Sequence, residues 1–223
     1  MRKNRVVLSA ALVLAIGLWG APSAFGAAPV VLSEAQLAAA LLPGAKVPGG
    51  GWTTAAAGVI ESRPWALAND IENGWCGGAT DAYAAGELQV AATAEATLAK
   101  TVAPDEPIWF LWTKAYSFPD VARAKSFLVN VQAAALDCDG WVLDGEPVNG
   151  VSAETVAIPK IPLAVRTTIS GDGVTATENY LYVRVANNVV VTHTRVVPTD
   201  DALALSIAQR STKRLKKAVK AAA

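Results

Sequence analysis

Between Val174 and Val197 the chain alternates side-chain character with a period of two, and Asn187-Asn188 interrupts that alternation. A period of two is the signature of a strand, because successive side chains leave opposite faces of a sheet. Asn tolerates positive φ, so Asn187-Asn188 predicts a two-residue hairpin turn between Val174–Ala186 and Val189–Val197. That turn sets Ala186 opposite Val189 and fixes both faces. One face carries Val185 opposite Val190, Val183 opposite Thr192 and Leu181 opposite Thr194, and suits a core. The other carries Arg184 opposite Val191, Tyr182 opposite His193 and Tyr180 opposite Arg195. An aromatic and basic face of this kind is read in two ways. It is a solvated sheet face with cross-strand pairs, or it is a wall against which a ligand lies, with Arg gripping a carboxylate or phosphate in two-point fashion.

The rest of the chain must supply what covers the apolar face. Ser33 and Gln36 form a capping box for a short helix over Ser33 to Leu42, which Pro43-Gly44 stops. Trp52–Ile60, Gly86–Val102 and Ile108–Tyr116 read as strands, and Ser62 to Asp81 reads as a long loop. Val121, Ala124, Leu128, Val131 and Ala135 recur at helical spacing, Phe127 widens the stripe, and Ser117 is the expected cap. This helix ends near Cys138. Thr155–Ile158 and Leu163–Ile169 complete a meander of strands, with Asp172-Gly173 as a turn. Thr199 is the expected cap of a last helix whose Leu203, Ile207, Leu215 and Val219 share one face. The expected fold class is therefore α+β: an antiparallel sheet of about five to seven strands packed against two long helices plus a short N-terminal helix.

Arg2, Lys3 and Arg5 precede an uncharged apolar run from Val6 to Trp19, and Ala24-Phe25-Gly26 offers small residues at a cleavage site. This order reads as a secretory signal peptide over residues 1–26, too short to span a bilayer comfortably, followed by one domain over 27–223. Export places the chain outside the cell or in the cell envelope. The whole chain has 19 basic and 19 acidic residues; without the three leader cations, 16 against 19 leave a net charge of about −3. Such a balance does not suit a nucleic-acid binder. Two cysteines in an exported chain, Cys76 and Cys138, are read as one disulfide. Lys213, Arg214, Lys216, Lys217 and Lys220 crowd the end of the last helix, either as a dipole-matched solvated end or as a weak contact to an anionic surface.

Catalytic and cofactor patterns are missing. His193 is the one histidine, no Gly-x-Ser-x-Gly elbow occurs, and Gly49-Gly50-Gly51 lacks the Lys and Ser/Thr of a phosphate loop. One histidine does not build a typical zinc site. No catalytic residue, metal or cofactor is expected, and the chain is read as a non-enzyme.

Ala115-Tyr116-Ser117-Phe118-Pro119-Asp120 leading to Ala124 and Phe127, then Leu136-Asp137-Cys138, then Arg184-Val185-Ala186-Asn187-Asn188-Val189-Val190-Val191, resemble the PknH-like extracellular sensor domain family of actinobacteria. The helix from Thr199 and the segment Leu32 to Leu42 are similar to that family's closing and opening helices. The resemblance covers most of residues 27–223. It implies an antiparallel sheet with helices around a cleft for an unidentified ligand, and a mid-domain disulfide at Cys76 and Cys138. Many members carry a second cysteine pair near the last two strands; this chain has none there. The expected function is a secreted ligand-binding or sensor-like domain for a small ligand or wall component. Its cleft is expected to draw on Trp112, Tyr116, Tyr180, Tyr182, Arg184, His193 and Arg195. An envelope interaction protein using the basic last helix and an unrecognised hydrolase are the alternatives.

Overall fold

The computed structural model describes residues 29–58, 90–100, 109–136, 150–171, 174–195 and 200–223. The expected leader, the loop expected over 62–81, the turn expected at Asp172-Gly173, and Cys76 with Cys138 lie outside the described residues.

Helix α1 spans Glu34–Ala40 behind the Ser33 capping box, with Gln36 N bonded to Ser33 Oγ and Ser33 N to Gln36 Oε1. A 3-10 turn follows at Gly44–Lys46. Strands β1 (Thr53–Gly58), β2 (Ala92–Lys100) and β3 (Trp109–Ser117) precede α2 (Val121–Leu136). Then come β4 (Gly150–Thr155), β5 (Leu163–Gly171), β6 (Val174–Val185), β7 (Asn188–Arg195) and α3 (Asp201–Ala222). The strands form one seven-stranded antiparallel sheet in the order β1-β2-β3-β7-β6-β5-β4. The fold is α+β.

Helices cover both faces of the sheet, which decides which residues are dry. On one face Leu37 of α1 and Leu215 of α3 pack with Ala94, Ala115, Val183 and Val190. Ile207 meets Leu98 and Leu111, while Ala204 and Ala208 meet Leu181. On the other face Ala124, Phe127 and Val131 of α2 pack with Tyr116, Tyr182, Val165, Val189 and Val191. Fully burying each large apolar side chain contributes about 1.5–3 kcal/mol.

Four local expectations are corrected. The hairpin turn is Ala186-Asn187, not Asn187-Asn188, so Val185 pairs with Asn188, Val183 with Val190 and Tyr180 with His193. Moving the turn by one residue displaces each partner by two, so both faces keep their composition. Asn187 itself is wholly buried: Oδ1 accepts from Val30 N at 2.9 Å and Nδ2 donates to Phe118 O. Those tertiary bonds outweigh its turn preference, and Ala186 takes the positive φ of 55° instead. Ser117 does not cap α2; its Oγ accepts from Leu32 N at 2.9 Å, and Asp120 Oδ1 caps α2 through Arg123 N at 2.8 Å. Asp200, not Thr199, caps α3, accepting from Leu203 N at 2.8 Å. Finally, the strand expected over Thr155–Ile158 lies earlier, at Gly150–Thr155.

Candidate functional site

In antiparallel pairing, residues directly opposite one another line up in rows across the sheet. One row on the α2 face runs Val165, Tyr180, His193, Trp112 across β5, β6, β7 and β3. Three adjacent rings therefore stack. Tyr180 and His193 have centroids 4.2 Å apart at 16°, and His193 and Trp112 4.3 Å apart at 25°. The neighbouring row runs Thr167, Glu178, Arg195, Phe110. A register set by the hairpin thus brings a carboxylate beside the ring stack.

Glu178 is the centre of this site and is 6% exposed. Its Oε2 accepts from Tyr180 Oη at 2.8 Å and lies 2.9 Å from His193 Nε2. Arg195 Nε stands 3.5 Å from Oε1. Burial by itself pushes the carboxyl up, but the hydrogen bonds of His193 and Tyr180 and the charge of Arg195 together bring it below its ordinary value. Burial pushes His193 down, against the pull of Glu178, and pushes Tyr180 well up, reinforced by the Glu178 charge. At neutral pH the arrangement is an ionised Glu178 between a neutral imidazole and a neutral phenol. A carboxylate only accepts, so His193 donates through Nε2–H and its Nδ1 carries the lone pair. That Nδ1 and Thr167 Oγ1 are buried atoms without a hydrogen-bond partner among the described residues.

The seven residues expected at a cleft separate into two groups. Trp112, Tyr180, His193 and Arg195 come together around Glu178, with Trp112 partly exposed and the Arg195 side chain 48% exposed. Tyr116 and Tyr182 do not join them. Each packs on Phe127 of α2, with centroids 5.4 and 6.1 Å away, inside the core. Arg184 turns to its own hairpin, where Nη1 donates to Ala186 O at 2.6 Å. Sequence reading missed Glu178. The i, i+2 spacing to Tyr180 was the available signal, but the assumed turn put Arg195 opposite Tyr180 rather than opposite Glu178. Among the described residues no group of three or more His, Cys, Asp or Glu side chains forms a metal-ligand set.

A solved structure shares this architecture: the extracellular domain of PknH from Mycobacterium tuberculosis. It aligns over 84% of this chain and 98% of that one, with a TM-score of 0.57 and 16% sequence identity. The two chains share a fold. No family model matches the chain, and no curated protein matches it. The likeness expected from Tyr116–Phe127 and Arg184–Val191 is thus present as architecture. Among the described residues no helix is long and apolar enough to cross a membrane.

Proposed function

We propose that this chain is an exported sensor-type domain that recognises a small ligand bearing a carboxylate or phosphate at the Trp112–Arg195 end of the Glu178 cluster. The observation that carries this reading is a half-exposed guanidinium held against a buried, ionised carboxylate. Glu178 orients Arg195 from below, and the outer guanidinium nitrogens have no partner among the described residues. An anion arriving there meets a pre-aimed two-point donor, and the Trp112 ring offers an apolar shelf beside it. His193 serves as a spacer: its Nε2 is bonded to Glu178 and both its ring faces are covered. This favours binding over catalysis. The leader-like start and the fold shared with an extracellular domain support the location.

Thermal-shift screening of the purified protein against small carboxylates, phosphates and wall fragments tests the reading. A shift abolished by Arg195→Ala and reduced by Trp112→Ala, but kept by Arg184→Ala, is the expected result. Hits that move all three variants as they move the parent protein would place the ligand elsewhere.

A further inference from the structure

The ring stack on the α2 face stops at Trp112, although its row does not. That row continues across the sheet to Thr97 of β2, directly opposite Trp112. His193 covers one face of the indole at 4.3 Å. The other face turns toward β2, because β3 lies between β2 and β7. Thr97 is a short side chain, and among the described residues no ring packs on that outer face. Rings one strand apart stack here at 4.2 and 4.3 Å, close to the strand spacing of about 4.8 Å. The space above Thr97 therefore has the thickness of one ring.

The rim of this slot carries both signs of charge. Glu95 and Lys114 lie directly opposite one another in the next row, with Lys114 Nζ 3.1 Å from Glu95 Oε2. Thr97 Oγ1 donates to Glu95 Oε1 at 3.2 Å. Glu95, Thr97, Trp112 and Lys114 are all part exposed, whereas Ala94, Ala96, Leu111 and Thr113, which alternate with them, are buried on the other face. An apolar partner laid on this surface takes water from Glu95 and Lys114 and returns nothing. A lone anion meets Glu95, and a lone cation meets Lys114. A neutral ring bearing several hydroxyls suits every feature. Its C–H face lies on the indole, and neighbouring hydroxyls, each both donor and acceptor, donate to Glu95 and accept from Lys114.

We infer that the outer face of Trp112, with Thr97, Glu95 and Lys114, is a subsite for a neutral pyranose ring. The inference deepens the reading of Arg195 as an anion site and rests on that reading for the ligand's charged part. Thr97 and Arg195 lie two strands and two residues apart, about 12 Å between backbone positions. One ligand that fills both places therefore carries its anionic group on the unit next to the ring on Trp112, as an acidic glycan does.

Saturation-transfer difference NMR on the full chain tests it. The probes are methyl glucoside, methyl galactoside, methyl mannoside and N-acetylglucosamine, with indole and cyclohexanol as ring controls. At least one pyranoside is expected to receive saturation through its ring C–H protons. Trp112→Ala should weaken its Kd roughly fivefold or more, and Glu95→Gln about tenfold. Thr97→Phe sets a protein ring in the slot and should abolish binding. Glucuronate linked to the bound sugar should tighten Kd about tenfold, a gain lost in Arg195→Ala. No saturation on any pyranoside overturns the inference. So does transfer undiminished in both Trp112→Ala and Thr97→Phe, or indole bound in place of the sugars. Inorganic phosphate that shifts the melt through Arg195 in those cases leaves the anion reading standing. Pyranosides bound at Trp112 with no gain from the glucuronate support the subsite and sink the anion reading.

Discussion

His193 Nε2 lies 2.9 Å from Glu178 Oε2, and both side chains are buried although the residues stand fifteen apart in the chain. The pair depends on a hairpin register that places Tyr180, not Glu178, directly opposite His193. Glu178 reaches the imidazole diagonally while its neighbour's ring stacks on it. The same carboxylate thus receives hydrogen bonds from Tyr180 and His193, and its charge is balanced by Arg195, whose side chain is half exposed.

This arrangement makes stability depend on pH in a fixed direction. His193 titrates below its ordinary 6.5 in the folded state. The unfolded chain therefore takes up that proton first, and stability is full above about 6.5 and falls as pH drops below it. Glu178, lowered from its ordinary 4.5, adds a second loss as pH falls through its folded value. Tyr180, raised above 10.0, erodes stability only above pH 10. Urea midpoints measured from pH 8 to pH 4 should show the first decline starting near 6.5. His193→Phe keeps a ring in the stack and should remove that first decline. An unchanged pH profile in this variant would refute the assignment.

Asn187 ties three chain segments together. Its side chain bonds Val30 N and Phe118 O, and its backbone carbonyl accepts from Phe118 N at 2.9 Å. Asn187→Ala leaves the part-buried Val30 N–H and the buried Phe118 C=O without these partners and should cost about 2–4 kcal/mol in chemical denaturation. Hydrogen exchange should rise first at Val30 and Leu32. A loss below about 0.5 kcal/mol would show that water replaces the amide.

Thr113 and Thr192 face each other beneath α3, and Ser211 sits on the buried stripe between Ile207 and Leu215. All three hydroxyls are buried without partners among the described residues. An isosteric methyl removes the desolvation cost of such a group, so Thr192→Val and Thr113→Val should each stabilise by about 1 kcal/mol. Thermal melts decide this, and a destabilised Thr192→Val would mean that the hydroxyl is hydrogen-bonded in solution.

Phe127 separates the core half of the α2 face from the Glu178 half. Its ring packs on Tyr116, Phe118 and Tyr182 and is 2% exposed. Phe127→Ala should cost about 3–5 kcal/mol through the cavity it leaves. Arg184→Ala, which loses one bond to its own turn, should cost about 1 kcal/mol or less. Equal losses for the two would contradict the division of that face.

Ala186 holds a φ of 55°, which a Cβ disfavours. Ala186→Gly should raise stability by about 0.5–1 kcal/mol, the backbone relief exceeding the added freedom of the unfolded chain. A lower melting temperature would show that the alanine methyl packs usefully.

Local signals carried a large part of the architecture. The Ser33–Gln36 box, the stripe of α2 and the alternation of β6 and β7 were legible, because caps and periodicity act within a few residues. Turn position was not, since Asn187 suits a turn residue and a buried amide equally well, and only contact with Val30 and Phe118 separates the two. The aromatic face was readable as a face, yet its division between core and site was not. That division depends on which half α2 covers, and α2 is bound to β4 through β7 by packing rather than by sequence neighbours.

The sequence by itself determined an α+β chain with a leader-like start, a two-faced hairpin and a lysine-rich last helix, because charge, capping and period are properties of adjacent residues. Tertiary structure alone decided that Glu178 lies under His193, that Tyr116 and Tyr182 belong to the core, and that Val30 meets the lysine-rich helix. Those facts are distances between segments far apart in the chain. They are fixed by sheet register and by helix burial, which the local sequence does not encode.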